Sequence, residues 1–235
     1  IIGDEEGKAR YRNVYEEAKK TFRKKYFDGT TIKSDTQTAY VFAYSVGYVG
    51  AEEVKDRLVG AIKENGGKLT TGFIGCRFVL PALCDMGESE LAYKIITETE
   101  YPSWGYMLKL GATTVWERWN GYTEKNGFED PEMNSFNHYS LGSCVEWLYT
   151  YVLGIKLCED KPVCISPTFF EKLSCVNGCY VDKNGKIRIS IKTENKIARV
   201  EITADEKAKY TCDFKDKRIK SVEKNGNSEI IFVEL

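Results

Sequence analysis

The 235-residue chain has almost no excess of charge of either sign: 34 Lys and Arg stand against 35 Asp and Glu, a formal net charge of -1. A dedicated nucleic-acid binder needs a basic footprint that displaces counterions, so no nucleic-acid partner is expected. The chain also lacks any run of about eighteen apolar residues, and no segment is expected to span a membrane. It has a single histidine. The finger-like spacing Cys175-Val-Asn-Gly-Cys179 therefore stands without the second Cys pair or His pair that a four-ligand zinc site wants, and no metal or cofactor is expected. The start, Ile1-Ile2-Gly3-Asp4-Glu5-Glu6, is neither a Met start nor a signal peptide, and reads as a cut end.

Eight cysteines are present. Cys76, Cys84 and Cys144 sit in apolar segments, where a free thiol behaves as a small hydrophobe. Cys158, Cys164, Cys175, Cys179 and Cys212 lie toward the C-terminus, and the set is expected as reduced thiols of a cytoplasmic protein. Hydrophobic residues make up 42% of the chain, enough to fill one large core or two modest ones. Aromatic residues reach 13%, fifteen of them Tyr. Such rings pack helices, and their flat faces also cover the apolar sides of sugars.

Helical periodicity dominates the first two-thirds, in two alternating kinds. Tyr11, Val14, Tyr15, Ala18 and Phe22 form a one-sided stripe between Lys8 and Tyr26, the signature of a helix with a wet face. Thr38 to Val49, preceded by Asp35 as its expected cap, has no charged residue and reads as a helix buried on every side. The alternation repeats: Val54, Leu58, Ala61 and Ile62 mark an amphipathic helix, and Gly72 to Cys84 is almost wholly apolar with Pro81 as an expected bend. Leu91, Ala92, Ile95 and Ile96 mark another amphipathic helix, and Tyr139 to Leu153 is apolar apart from Glu146. The simplest arrangement with this property is a double ring, buried helices inside and amphipathic ones outside. About six helices make half of such a closed ring.

Polar residues gather where the buried helices begin: Asp35-Thr36-Gln37-Thr38, Thr70-Thr71-Gly72-Phe73 and Asn134-Ser135-Phe136-Asn137-His138. Inner helices that run in one direction would bring these entrances to one face, each presenting unpaired N–H groups. Capping accounts for part of this polarity. The long connection from Gly105 to Pro131 contains Ala112 to Trp119, extended in character. A strand there would put Val115, Glu117 and Trp119 on one side and Thr114, Trp116 and Arg118 on the other. A carboxylate between two indoles is poorly solvated, and an ion pair with a neighbouring cation is the plain alternative to a catalytic role. From about Lys161, short alternating runs separated by Asp182-Lys-Asn-Gly185 and Lys224-Asn-Gly226 read as a compact antiparallel β domain.

From Thr36 to Ile155 the sequence resembles the bacterial α-L-rhamnosidases, six-hairpin glycoside hydrolases built on an (α/α)6 barrel. The resemblance rests on Asp35-Thr-Gln-Thr38, Glu64-Asn-Gly-Gly67, Leu69-Thr-Thr-Gly-Phe73, Tyr101-Pro-Ser-Trp104, Gly111-Ala-Thr-Thr-Val-Trp-Glu-Arg-Trp119 and Met133-Asn-Ser-Phe-Asn-His-Tyr139, in order and at matching spacing. It implies a mainly α fold with a β appendage: half of an (α/α)6 barrel over 1–158, then a small antiparallel β-sandwich over 159–235. It also implies release of terminal α-L-rhamnose from a rhamnose-containing glycoside or polysaccharide with inversion. Carried over by position, Glu117 is the general base and His138 contacts the sugar. Trp104, Trp116 and Trp119 are candidates to stack on the methyl-bearing side of a 6-deoxy sugar. The family's acidic motif, which supplies the general acid, has no match here. The expectation is thus a C-terminal fragment with base but not acid, whose exposed inner flanks a homodimer or a missing upstream half would bury. The rivals are a six-hairpin glycosidase of other sugar specificity and a non-catalytic carbohydrate-binding half-barrel.

Overall fold

A computed structural model describes residues 3–130, 132–157, 161–215 and 217–235. They form two compact units, Ile1–Ser143 and Cys144–Leu235. The sequence-based boundary at 158/159, Cys158, Pro131 and the Ile1-Ile2 start lie outside the described residues.

The first unit is helical. α1 (Glu5–Tyr26) is capped by Asp4, whose carboxylate accepts from the Gly7 N–H at 2.8 Å. Acidic residues in its first turn and basic ones in its last suit the helix dipole. α2 (Gln37–Ser45), α3 (Ala51–Glu64), α4 (Phe73–Asp85), α5 (Ser89–Ile96) and α6 (Trp104–Lys109) follow, and α7 (Tyr139–Gly142) ends the unit. α2 packs on α4 and α4 on α7, while α3 and α5 lie against that row. The alternating amphipathic and apolar segments thus become an outer and an inner layer, as the double ring requires. α3 turns Val54, Leu58 and Ile62 inward and α5 turns Ala92 and Ile95, the stripes visible in the sequence.

Several details differ from expectation. Thr36, not Asp35, caps α2, its hydroxyl accepting from the Ala39 N–H at 3.2 Å. Asp35 instead accepts from the Tyr40 hydroxyl and from Arg57, each at 2.5 Å. α4 is preceded by Gly72 as its cap residue, which has no side chain to offer, and the Thr71 hydroxyl faces Thr38, 2.9 Å away. α2 is not buried all round: Phe42 is 44% exposed, and Phe73 and Ile74 on α4 are exposed too. Burial of an apolar helix needs a neighbour on each side, and among the described residues none covers that flank. The α1 stripe is likewise bare at Tyr11 and Val14, and only Tyr15 and Phe22 find cover, against Tyr48.

One polar residue holds the inner helices' ends together. Gln37 is 1% exposed; its amide nitrogen donates to the carbonyls of Ala61 and Lys68 at 3.3 and 3.1 Å, and its amide oxygen accepts from the Thr70 N–H at 2.8 Å. A single side chain therefore ties the start of α2 to the end of α3 and to the segment leading into α4.

In the second unit α8 (Cys144–Trp147) runs into a π-helical turn, Leu148–Val152. The expected continuous helix from Tyr139 to Leu153 is thus three short pieces, with Ser143 making the first break and the wider turn following Trp147. β3 (Ile155–Lys156), β4 (Val163–Ile165) and β8 (Tyr210–Cys212) form one sheet. β5 (Cys175–Asp182), β6 (Gly185–Glu194), β7 (Ile197–Ala204), β10 (Ser228–Glu234) and β9 (Arg218–Asn225) form the other in that spatial order, after the short first-unit hairpin β1 (Tyr122–Thr123) and β2 (Gly127–Phe128). Pairing is antiparallel except between β4 and β8, which run parallel. Both sheets feed one core, with Ile165, Ile189, Val200, Ile202 and Val233 at its centre. The turn at Asn195-Lys196 puts both residues at positive φ, the conformation that matches the right-handed twist of a hairpin. Burial pushes the Cys212 thiol up to about 12, with Glu229 and Cys164 adding to the effect, so this sulfur stays protonated.

Replacing Gln37 by Leu is expected to lower stability by about 2–4 kcal/mol in urea unfolding, because buried backbone groups lose their partners. An unchanged midpoint would show that those groups find other partners. A second prediction concerns acid. Hydrogen bonds from Arg23 and from the Gly50 N–H hold Glu53 at about 2, down from 4.5. Its contribution is complete above pH 4.5 and lost as pH falls through about 2. Glu53→Gln is expected to flatten the decline of the melting temperature across that window, and equal slopes in both proteins would discount the pair.

Candidate active site

Ser103 opens the region by capping α6, its hydroxyl accepting from the Tyr106 N–H at 2.9 Å. Beyond α6 the chain from Ala112 to Trp119 is a series of bends, not a strand, and burial does not alternate: Trp116 and Trp119, three apart, are both buried. The segment nevertheless lies against 135–138, with the Glu117 N–H donating to the Ser135 carbonyl at 2.9 Å and the His138 N–H donating to the Val115 carbonyl at 2.8 Å. The Thr114 hydroxyl donates to the Phe136 carbonyl. Two motifs about twenty residues apart in sequence are thus laid side by side, which brings Glu117 and His138 onto neighbouring rungs.

The Glu117 carboxylate accepts from the Ser135 N–H at 3.0 Å. Arg118, the cation next to Glu117 in the chain, lies 3.5 Å from Asp130. Among the described residues no ion pair reaches Glu117. A half-buried carboxylate held by a backbone N–H and by no cation keeps oxygen lone pairs available to polarise a water, the disposition a general base needs. His138 caps α7: its Nδ1 accepts from the Ser140 N–H at 3.3 Å, which leaves Nε2 to carry the proton in the neutral ring. The imidazole stacks on Tyr139, which is 85% exposed, and sits 6.0 Å from the Phe73 ring.

The tryptophans are held by the protein itself. Trp119 donates its indole N–H to the Thr71 carbonyl at 2.9 Å, tying the Glu117 segment to the start of α4. Trp104 stands edge-on to Trp119 at 4.9 Å and donates to the Leu141 carbonyl. Trp116 stands edge-on to Phe136 at 5.3 Å and walls a cavity of about 510 Å³ with Thr113, Thr114, Tyr122, Phe128 and others, while neither Glu117 nor His138 lines it. The hairpin β1–β2 was not foreseen, although Asn126-Gly127 is a strong turn signal. Sequence reasoning counted Asn134 only among the polar residues at a helix entrance and gave it no role; its amide nitrogen donates to the Gly121 and Glu129 carbonyls at 2.7 Å each. Among the described residues no group of three or more His, Cys, Asp and Glu is placed to hold a metal ion.

Comparison with known proteins gives a consistent picture. The family model of the bacterial alpha-L-rhamnosidase 6 hairpin glycosidase domain matches residues 1–152. The chain is 41% identical over 152 residues to an alpha-L-rhamnosidase of Streptomyces avermitilis, covering 63% of this chain and 15% of the relative. It is 32% identical over 209 residues to one from Formosa agariphila, covering 86% of this chain and 23% of the relative. The chain therefore spans less than a quarter of either relative's length. Among solved structures, the Streptomyces avermitilis alpha-L-rhamnosidase complexed with L-rhamnose superimposes with a TM-score of 0.82 at 28% identity, covering 96% of this chain and 23% of that one.

Trp119→Phe keeps an aromatic ring and removes only the indole N–H, leaving the Thr71 carbonyl without that donor. A loss of about 1–3 kcal/mol in chemical unfolding is expected. Wild-type stability would mean that this bond does not hold the Glu117 segment in place.

Proposed function

Because the chain belongs to the bacterial alpha-L-rhamnosidase six-hairpin glycosidase family, we propose that it contributes the water-activating side of an inverting α-L-rhamnosidase site. Glu117 is the general base and His138 a sugar contact. The observation that supports this reading is the pairing of 115–117 with 135–138, which lays the two motifs that carry these residues side by side. Inversion needs a carboxylate to take a proton from water on the face opposite the leaving group. Glu117, bound to one backbone N–H and to no cation, is suited to that step. As the water oxygen bonds to the anomeric carbon, its proton passes to Glu117 and the glycosidic oxygen departs with a proton from a second carboxyl, about 6.5–9.5 Å from the first.

The nearby carboxylates do not suit the acid role. Asp130 is paired with Arg118, Glu129 accepts from the Asn126 amide, and Glu124 and Glu132 lie on an open loop. The acid is therefore assigned to chain beyond the residues in hand, in a polypeptide of the relatives' length. The substrate class is a terminal α-L-rhamnoside, with His138 donating through Nε2 to a ring hydroxyl. Trp104 contributes as a rigid wall: it already spends its N–H on Leu141, so any contact it makes with sugar is through its ring face, whereas Trp116, 4% exposed, walls a cavity that neither Glu117 nor His138 lines and contributes through packing on Phe136.

In a polypeptide of the relatives' length carrying this chain, Glu117→Gln is expected to cost about 10²–10⁴-fold in turnover of an aryl α-L-rhamnoside while the protein stays folded. Proton NMR of the wild-type reaction should show β-L-rhamnose first, before mutarotation. Full turnover by the Gln variant would remove Glu117 from the mechanism, and α-L-rhamnose as first product would replace inversion by retention. Rhamnose binding by the chain alone, with no hydrolysis in any longer form, would favour the carbohydrate-binding alternative.

A further inference from the structure

We infer that Asn134 is a positioning residue for Glu117, acting through the adjacent Ser135 amide; the inference rests on Glu117 being the general base. Ser135 makes two contacts with Glu117, accepting from its backbone N–H at 2.9 Å and donating its own N–H to the carboxylate at 3.0 Å. The place of that amide is set by the residue before it. The Asn134 side-chain nitrogen donates to the carbonyls of Gly121 and Glu129, both at 2.7 Å, clamping the two ends of the β1–β2 excursion against the 134–138 segment. Two carbonyl oxygens at that distance fix the orientation of the amide, since a flipped group would set oxygen against oxygen.

The other end of the same amide is held in a close-fitting space. Asn134 Oδ1 is buried and has no hydrogen-bond partner among the described residues. An acceptor left in that state opposes folding. The clamp is also tightly fitted: a Cβ on Gly121 would lie 2.8 Å from Asn134 Oδ1 and 3.4 Å from the Arg118 carbonyl. Gly121 is thus small because the amide lies against it, and Arg118, beside the base, borders the same space. The chain Gly121–Asn134–Ser135–Glu117 is a continuous set of short contacts from the back of the loop to the carboxylate.

The test uses Asn134→Ala and Gly121→Ala in a polypeptide of the relatives' length carrying this chain, with Glu117→Gln as reference. Asn134→Ala is expected to lower kcat at least about tenfold, as misplaced catalytic groups do, with KM changed less than about twofold. Loosening the Ser135 N–H also removes a bond to the ionised carboxylate, so the acid limb of kcat/KM should move to higher pH. Loss of folded protein alone would lower the rate without moving that limb. Gly121→Ala, which displaces the amide without deleting it, should shift the limb in the same direction with a smaller loss of kcat, and it decides the matter if Asn134→Ala does not fold. An inactive Glu117→Gln beside a Gly121→Ala or folded Asn134→Ala protein with wild-type kcat and an unmoved limb overturns the role of Asn134 alone. Full activity in Glu117→Gln overturns the reading of Glu117, and this inference with it.

Discussion

Backbone groups at helix ends and beside the β1–β2 hairpin take bonds from three side chains. Gln37 takes the carbonyls of Ala61 and Lys68 and the N–H of Thr70, Trp119 takes the carbonyl of Thr71, and Asn134 takes those of Gly121 and Glu129. An amide or indole directed at main chain is worth more in a half-buried place than on the surface, because the alternative is a polar group cut off from water. Remove these bonds and the connections have no reason to follow the paths they do. Glu117 sits at the end of one such path, so its placement inherits the rigidity of Trp119 on one side and of Ser135 on the other.

The helical unit also shows how a buried layer depends on neighbours. α3 and α5 behave as their sequences suggest, because each needs cover on one face only and finds it. α2 and α4 need cover on more faces than the described residues provide, and Phe42, Phe73 and Ile74 stand in the open as a result. Periodicity reports what a helix wants to bury, while exposure reports what is there to bury it.

That distinction separates what was legible in the sequence from what was not. The two kinds of helix, the hairpins at Asp182–Gly185 and Asn225–Gly226, and the change to strands beyond Lys161 follow from patterns of period 3.6 and 2, which are local. The meeting of the Glu117 and His138 motifs came from resemblance of ordered motifs, not from spacing, since nothing local says that residue 117 lies beside 135. The expected strand at Ala112–Trp119 failed because its bonds are made to a neighbouring loop at two points only, too few for a ladder. The single helix expected over Tyr139–Leu153 failed because apolar content does not reveal where a turn widens. Asp35 looked like a cap and is instead an ion-pair partner, a choice decided by Arg57, twenty-two positions away.

The last antiparallel pair of the larger sheet leaves β9 at its edge, exposed along its whole length. Unpaired edges invite another chain to add itself, and stacked copies grow into fibres when identical residues can lie one above the next. In β9 such stacking would set Arg218 on Arg218, Lys220 on Lys220, Glu223 on Glu223 and Lys224 on Lys224. Like charges at the inter-strand repeat repel, so this edge is guarded against self-templated aggregation by its own composition.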